Sequence, residues 1–438
     1  MISNGIESNN STKPNHSMQS FVFIWTGQAV SLIGSRLVRF ALIWWLTIQT
    51  GSATLLAVAM IMMFLPQVII TPFAGPLVDR WSRRKTMIAA DSLTALTVAV
   101  IAFLFALEIV EYWQVFIMMF LGATLGAFHW PAMQAATTLL VPEKHLSRIG
   151  GMNQGLMGIA NIVAPPMGAV LLGFLPMQFI LSIDIATAFL AVPLLFFVKI
   201  PQPSRENHTE ETSVMSEMKE GFRYLRNWPG AFMVVCFAMI LNLFSMPAFS
   251  LLPIMTVNHF GGDEVILAEL QAAQAVGMVI GAFILGIWGG FKQRIKTAMS
   301  ALIIVGSGML LIGLTPPDAV NFATLMMFVV GVFNPIVNGS IIAVLQSTIP
   351  PDMQGRVFSL VISGISAMAP VGLTIAGPLA DAFGVPIWFV ISGLVTTSVA
   401  ITAFFVPAVM NIETQNGGVK ETSVVERSEN LLATANQD

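Results

Sequence analysis

Along the chain, apolar positions gather into twelve long runs, separated by turn residues and short polar stretches. A helix that crosses a bilayer needs about 20 mainly apolar residues, and each run is close to that length. The pattern predicts helices over 21–48, 53–78, 86–107, 112–139, 149–173 and 177–198 in the first half. In the second half it predicts 231–256, 265–289, 297–314, 319–346, 355–380 and 386–408. The expected organisation is an amino-terminal segment 1–20, a six-helix bundle 21–198, a linker 199–230, a second six-helix bundle 231–408 and a polar tail 409–438. In the linker, Met215, Met218, Phe222 and Leu225 recur at helical spacing, with Lys219, Arg223 and Arg226 on an adjacent stripe. That pattern predicts a short amphipathic helix lying on the inner leaflet.

Composition decides what surrounds these helices. The 438 residues are 55% hydrophobic and 10% charged, against about 25% charged in an average soluble domain. So few polar side chains could not cover a soluble core of that size, whereas lipid solvates apolar surface directly. The chain reads as an all-α polytopic membrane protein. Lys13 is the only base in residues 1–20, so the n-region of a cleavable signal is missing and the first span is expected to act as its own signal.

Orientation follows from the bases. Of 20 Lys and Arg, Arg36 and Arg39 fall inside the first span, and the other 18 all fall on one side of a twelve-span arrangement. The opposite connections carry Glu108, Glu111, Asp263, Glu264, Asp318 and Asp381. Lys and Arg are retained in the cytoplasm, so both termini and the linker are expected there, in a multi-pass protein of the cell (inner) membrane. One helix more or fewer would scatter the bases over both faces.

Several chemistries are unsupported by the residues. One cysteine, Cys236, leaves no internal disulfide and no Cys-rich metal site. No Gly-Lys dipeptide occurs, which excludes a Walker A loop in this chain. The reading is no enzyme, no cofactor, no metal and no nucleic acid, in a monomer whose surroundings are lipid.

The two halves share a pattern. Gly75, Arg83 and Lys85 recur as Gly286, Arg294 and Lys296; Pro142 and Arg148 recur as Pro350 and Arg356. In the fifth and eleventh spans, Pro166, Gly168 and Gly173 match Pro370, Gly372 and Gly377. Three matches in register indicate a parallel duplication of six helices, a design that recurs among secondary transporters with the substrate site between the halves.

One stretch adds detail to this. "GPLVDRWSRRK", Gly75 to Lys85, packs four bases and an acid into the short connection between spans 2 and 3. A positive-inside anchor accounts for Arg83, Arg84 and Lys85 but not for Gly75 or Asp79. The stretch resembles the loop 2–3 signature of the major facilitator superfamily, with Gly75, Asp79, Arg80, Arg83 and Arg84 in place and Ser82 where a second glycine is usual. "SLIGSRLVRFALIWWLTIQTGSAT", "PAMQ", "SIDIATAFL" and "EGFRYLRNWP" are similar to the branch that holds macrolide-efflux and enterobactin-exporter proteins. The resemblance implies the major facilitator fold, two six-helix pseudo-symmetric bundles, and transport of a small-molecule substrate by alternating access. Position and charge predict a gate at this connection, in which Asp79 caps the amino terminus of a facing helix, span 11 near Val357, when the cytoplasmic side is shut, because the helix dipole favours an anion there. "APPMGA" (Ala164–Ala169) is a degenerate form of the exporters' span 5 motif. The arginine found in span 4 of many proton-coupled antiporters is absent.

The resemblance further implies that spans 1, 4, 7 and 10 line a cavity, and intramembrane polar groups agree with it. Span 1 carries Gln28, Arg36 and Arg39; span 4 carries His129, Trp130 and Gln134; span 7 carries Asn242; span 10 carries Asn334 and Asn338. Spans 9 and 12 carry no Asp, Glu, Asn, Gln, His, Lys or Arg. Arg36 and Arg39 share a face, and an arginine at mid-membrane costs at least about 3 kcal/mol on insertion scales. Either they pair with an acid, Asp184 having matching depth, or they form an anion-attracting wall. Asp91 is a partner for the nearby loop bases or a proton carrier. Asp184, Glu269 and Asp91 are the candidates for proton coupling. The function expected is proton-coupled efflux of amphipathic drug-like compounds. The alternatives are a siderophore or lysolipid carrier and, from another class, a receptor or enzyme on the same scaffold.

Overall fold

The structure, a computed structural model, describes residues 18–198 and 214–413, apart from the side chains at 72, 75, 76, 79, 80, 143, 144, 147, 214–218, 351 and 352. The first half holds α1 (Met18–Thr50), α2 (Ala53–Arg80), α3 (Arg83–Ala106), α4 (Tyr112–Leu140), α5 (Glu143–Phe174) and α6 (Met177–Phe197). A short α7 (Val214–Arg226) follows. The second half holds α8 (Pro229–Ser250), α9 (Leu252–Asn258), α10 (Glu264–Trp288), α11 (Arg294–Leu314), α12 (Val320–Thr348), α13 (Pro351–Phe383), α14 (Val385–Phe405) and α15 (Pro407–Met410). Among the described residues all regular structure is helical, and twelve helices are long and apolar enough to cross a membrane. Phe174, Phe197, Ile287 and Phe405 are each at least 80% exposed. Large apolar side chains in that position need lipid around them.

The duplication reappears as packing. In the first half α1 packs on α5 and α6, α2 on α4, and α3 on α4 and α6. In the second half α8 packs on α13 and α14, α10 on α12, and α11 on α12 and α14, which is the same scheme. Two seams join the halves, α2 against α13 and α5 against α10.

Local chemistry explains where several helices start. Ser52 caps α2 by accepting from Leu55 N–H at 3.3 Å, and Asp263 caps α10 by accepting from Val265 and Ile266 N–H at 3.1 and 3.0 Å. Such side chains satisfy amide groups that have no partner within the helix. Between α2 and α3 only Trp81 and Ser82 remain. Ser82 has φ −72°, ψ 110°, a conformation open to any residue, so the glycine usual at that place is not required.

Four expectations need correction. Span 7 is two helices, because α8 ends at Ser250 and Leu251 leaves the helical region (φ −92°, ψ 2°) before α9 resumes. Pro253 has no N–H to continue the ladder, and Leu251 N–H bonds back to Pro247 O at 2.9 Å. The stretches Pro142–Arg148 and Pro350–Arg356 are not connections but the opening turns of α5 and α13. A proline is well suited to a helix start, where its missing N–H would lack an intrahelical acceptor. The amino terminus of α13 is therefore at Pro351 rather than near Val357, which is fully buried. The polar tail cannot begin at 409: Val409 and Ile412 are fully buried, and α15 packs on α8.

The amphipathic linker helix is α7. Leu225 is buried and Phe222 is half exposed; the side chains of Met215 and Met218 lie outside the described ones. It packs on α13, where Glu220 accepts from Arg356 at 2.6 Å.

Candidate functional site

A cavity of about 290 Å³ is enclosed by α1, α3, α4, α5 and α6, with two residues of α2 on its rim. Its wall is mainly apolar, with Leu32, Val38, Leu42, Met63, Met118, Met119, Met133 and Met157 among the lining residues. Unbranched methionines fill irregular shapes and adapt to different ligands.

A polar cluster interrupts this wall. Asp91 on α3 receives Gln28 Nε2 of α1 at 2.8 Å on Oδ2. Its Oδ1 lies 3.2 Å from Nε2 of His129 on α4, a contact that becomes an ion pair when the imidazole is protonated. Three helices thus converge on one carboxylate. This corrects the expectation that Asp91 partners the loop bases. Nearer the α1 start, Trp25 Nε1 donates to Asn153 Oδ1 of α5 at 2.7 Å. Further along α1, Ser35 Oγ donates at 2.7 Å to Asp184 of α6, which is buried to 4% exposure. Arg39, Gln67, Gln134 and Trp130 complete the polar rim.

The arginines of α1 depart from a simple pair with Asp184. Arg36 donates to Asn161 Oδ1 of α5 at 2.7 Å and lies 3.7 Å from Met157 Sδ. Arg39 and Asp184 attract one another through space, but the carboxylate is bonded to Ser35. Among the described residues neither arginine has a carboxylate within 4 Å. Both guanidinium groups also face a second chamber of about 290 Å³ between the halves, where α5, α8, α9 and α10 contribute Asn161, Phe249, Leu252, Gln271 and Gln274.

The remaining candidates scatter. Asn242 lines a third space of about 400 Å³ on the α2–α13 seam, opposite Gln67, Trp130, Ser363 and Ser366. Asn338 is exposed and donates to Asn334 Oδ1 on its own helix at 2.8 Å, and neither lines the first cavity. Glu269 is exposed in α10, away from all three spaces. Of the motif residues, Gly75, Asp79 and Arg80 fall in α2 with their side chains outside the described ones. Arg83 is buried at 9% exposure. Arg84 donates to the carbonyl of Phe196 and lies over its ring at 5.9 Å, so it secures the last turn of α6 within the same half.

Sequence reasoning passed over Asp381. At the acidic end of the molecule, opposite the Arg80–Lys85 turn, its carboxylate crosses the α2–α13 seam. It accepts from Ala53 N–H at 2.6 Å, Thr54 N–H at 3.0 Å and Ser52 Oγ at 2.9 Å. An anion at a helix amino terminus satisfies free amides and the helix dipole together. Beside it Gly377 of α13 lies against Thr54 and Ala57 of α2, and Asn258 donates to Gly51 O at 3.3 Å. The halves are clasped at this end. The signal was an acid close to the end of a helix, but its partner is 329 positions away. Gln67, Asn153, Asn161, Gln271 and Gln274 were missed because they lie on spans 2, 5 and 8, outside the four expected to line the cavity.

Comparison with known proteins agrees with the fold. Residues 24–373 match the family described as Major Facilitator Superfamily. Macrolide efflux protein A of Streptococcus pyogenes is 34% identical over 389 residues, which cover 89% of this chain and 96% of that protein. Multidrug efflux pump Tap of Mycolicibacterium fortuitum is 27% identical over 84% of this chain and 91% of its own length. Among solved structures, the D323A mutant of the nucleoside transporter NupG superposes with TM-score 0.68 at 14% identity, covering 87% of this chain and 98% of that one. A bacterial homologue of the lysosomal transporter Spinster, in an inward-facing and unoccupied conformation, gives 0.67 at 11%, covering 92% and 98%.

Proposed function

Since the chain belongs to the Major Facilitator Superfamily, we propose that it exports amphipathic drug-like compounds by alternating access, in exchange for protons. The efflux relatives support the direction and the substrate class. In this reading the basic end faces the cytoplasm, with both termini. The clasp at Asp381 then closes the outer side, and the cavity is poised to take substrate from within.

The observation that carries the coupling is the convergence of Gln28 and His129 on Asp91 in a mainly apolar wall. A proton bound at a carboxylate oxygen of Asp91 cancels the charge that attracts His129. A protonated amine on an amphipathic substrate competes for the same oxygen atoms. One carboxylate then holds either the proton or the cationic substrate, which links their movement in opposite directions. Asp184 is the second acid on this path, held by Ser35; Glu269 has no part in it. Gating uses both ends of the α2–α13 seam: Asp381 near the end of α13 clasps the outer side, and Asp79 near the end of α2, with Gly75, Arg80 and Arg83, shuts the inner one when the halves rock, while Arg84 holds the turn to α6.

The test uses inverted vesicles from a host lacking its own pumps. Asp91→Asn should abolish substrate-driven proton release and lower export by about 100-fold or more, within the range of a lost proton-transfer group. Proton release at the parent rate in that variant would refute the assignment. Carriage of an acidic amphiphile such as a siderophore or lysolipid is the second reading, favoured by Arg36 and Arg39. A substrate panel in which only acids are moved would select it.

A further inference from the structure

The charges near the middle of α1 do not balance. Arg36 and Arg39 bring two guanidinium groups to the chamber between the halves, and the one nearby carboxylate, Asp184, which accepts from Ser35, offsets only one of them. Arg36 spends one donor on Asn161 Oδ1, out of five that a guanidinium carries. Arg36 is half-buried and Arg39 is exposed to this internal space, so both guanidinium groups are open to a ligand, and an unbalanced charge at that depth in a membrane is costly. The remaining polar groups of the chamber are amides, Gln271 and Gln274 of α10 with Asn161 of α5. Amide groups rotate to present N–H donors, and so complement an anion rather than compete with the arginines.

We propose that this chamber, which shares Arg39 with the Asp91 cavity but not Asp91 itself, is an anion site that takes a monovalent anion: a carboxylate or a halide. Its chemistry is that of charge-assisted hydrogen bonds from a guanidinium fork, supplemented by amides from the opposite half. A volume of about 290 Å³ accommodates a small organic acid or a partly hydrated halide. Because α1 and α5 supply one wall and α9 and α10 the other, an anion held there bridges the halves and favours the clasped state. The anion has two possible sources, the solution or a carboxylate on the transported molecule. The proposal does not rest on the export reading, since none of its groups touches Asp91.

Equilibrium binding of radiolabelled chloride and of radiolabelled benzoate to the purified full-length protein in detergent decides it. Saturable binding of at least one is expected, weakened about tenfold or more by Arg36→Gln or Arg39→Gln, the effect of losing a charge-assisted bond. Saturation by chloride alone identifies a solution ion; benzoate that displaces chloride identifies a carboxylate. Asp184→Asn should tighten binding by removing a nearby negative charge, and Asp91→Asn should leave it unchanged. Tightening would not follow from a merely structural role for the arginines. Gln271→Leu with Gln274→Leu on the opposite helix should weaken binding while sparing both arginines, so the idea stays testable if an arginine variant fails to fold. No saturable binding of either anion, or binding indifferent to all of these substitutions, overturns the proposal. Failure of Asp91→Asn to alter proton release, with anion binding intact, would count against the export reading alone.

Discussion

The two halves share one packing scheme but spend their glycines differently. In the second half, glycines let backbones meet. A Cβ on Gly281 would lie 1.9 Å from Val332 O, on Gly372 2.0 Å from Leu243 O, and on Gly393 2.4 Å from Leu310 N. In the first half, Gly122, Gly126, Gly155 and Gly158 have nothing within 4 Å, and Gly122 and Gly126 line the cavity. The repeat-related pair makes the contrast directly: Gly168 meets the ring of Phe40, whereas its counterpart Gly372 meets a backbone carbonyl. Small residues bring membrane helices close where no hydrophobic force acts between them. The second half uses that closeness to become a tight body. The first keeps space between its helices and fills the wall with Asp91, His129, Gln28 and Asp184.

That contrast is easiest to break with single methyl groups. Gly281→Ala or Gly372→Ala forces helix backbones apart and should cost at least about 1–3 kcal/mol, the range of overpacking, seen as a lower unfolding temperature in detergent. Gly158→Ala should be neutral, and slightly stabilising through helix propensity. Equal losses in both halves would mean that the second half is no tighter than the first.

A smaller effect is expected at the seam. Asp381→Ala leaves Ala53 and Thr54 N–H without their acceptor, and loss of a cap costs about 1 kcal/mol. That is about a fivefold shift away from the clasped state, read as faster labelling of a cysteine introduced at Met278 from the acidic end. Unchanged labelling would reduce Asp381 to an ordinary helix cap. The comparison extends to the two seams, since Gly377 touches α2 whereas its repeat counterpart Gly173 on α5 has nothing within 4 Å. One seam carries the clasp, and the related one does not.

The smallest effect belongs to the linker helix. Arg356 and Glu220 pair at 2.6 Å with side chains 35% and 53% exposed, and exposed pairs contribute about 0–1 kcal/mol. Arg356→Gln should leave the unfolding temperature nearly unchanged at physiological salt. A large loss would show that α7 is a structural part of the second half rather than a strap on its surface.

How much was legible in advance differs between fold and site. The span boundaries fell within a few residues of the helices because each is set by a local switch between apolar and polar chemistry. The errors came at Leu251, Pro142 and Pro350, where a proline reads alike as a break or as a helix start. For the site, Gln28, His129 and Asp91 were each singled out, yet their meeting was not foreseen. Nothing in three isolated positions on three spans says which rotations bring them together. Asn334 and Asn338 show the opposite failure: correct spacing on one face, but a face that bonds to itself.

What this sequence determines by itself is the number of spans, the duplication and the side on which the bases lie. Each follows from solvation of short stretches, since apolar runs need lipid and backbone amides in lipid need helices. Only the tertiary structure decided that Asp91 is shared by α1 and α4, that Asp184 belongs to Ser35, and that Asp381 reaches across the seam to Ala53. Those pairings depend on helix rotation and, for Asp184 and Asp381, on contacts 149 and 328 positions apart. Such contacts are set by the packing of all twelve spans at once rather than by any one of them.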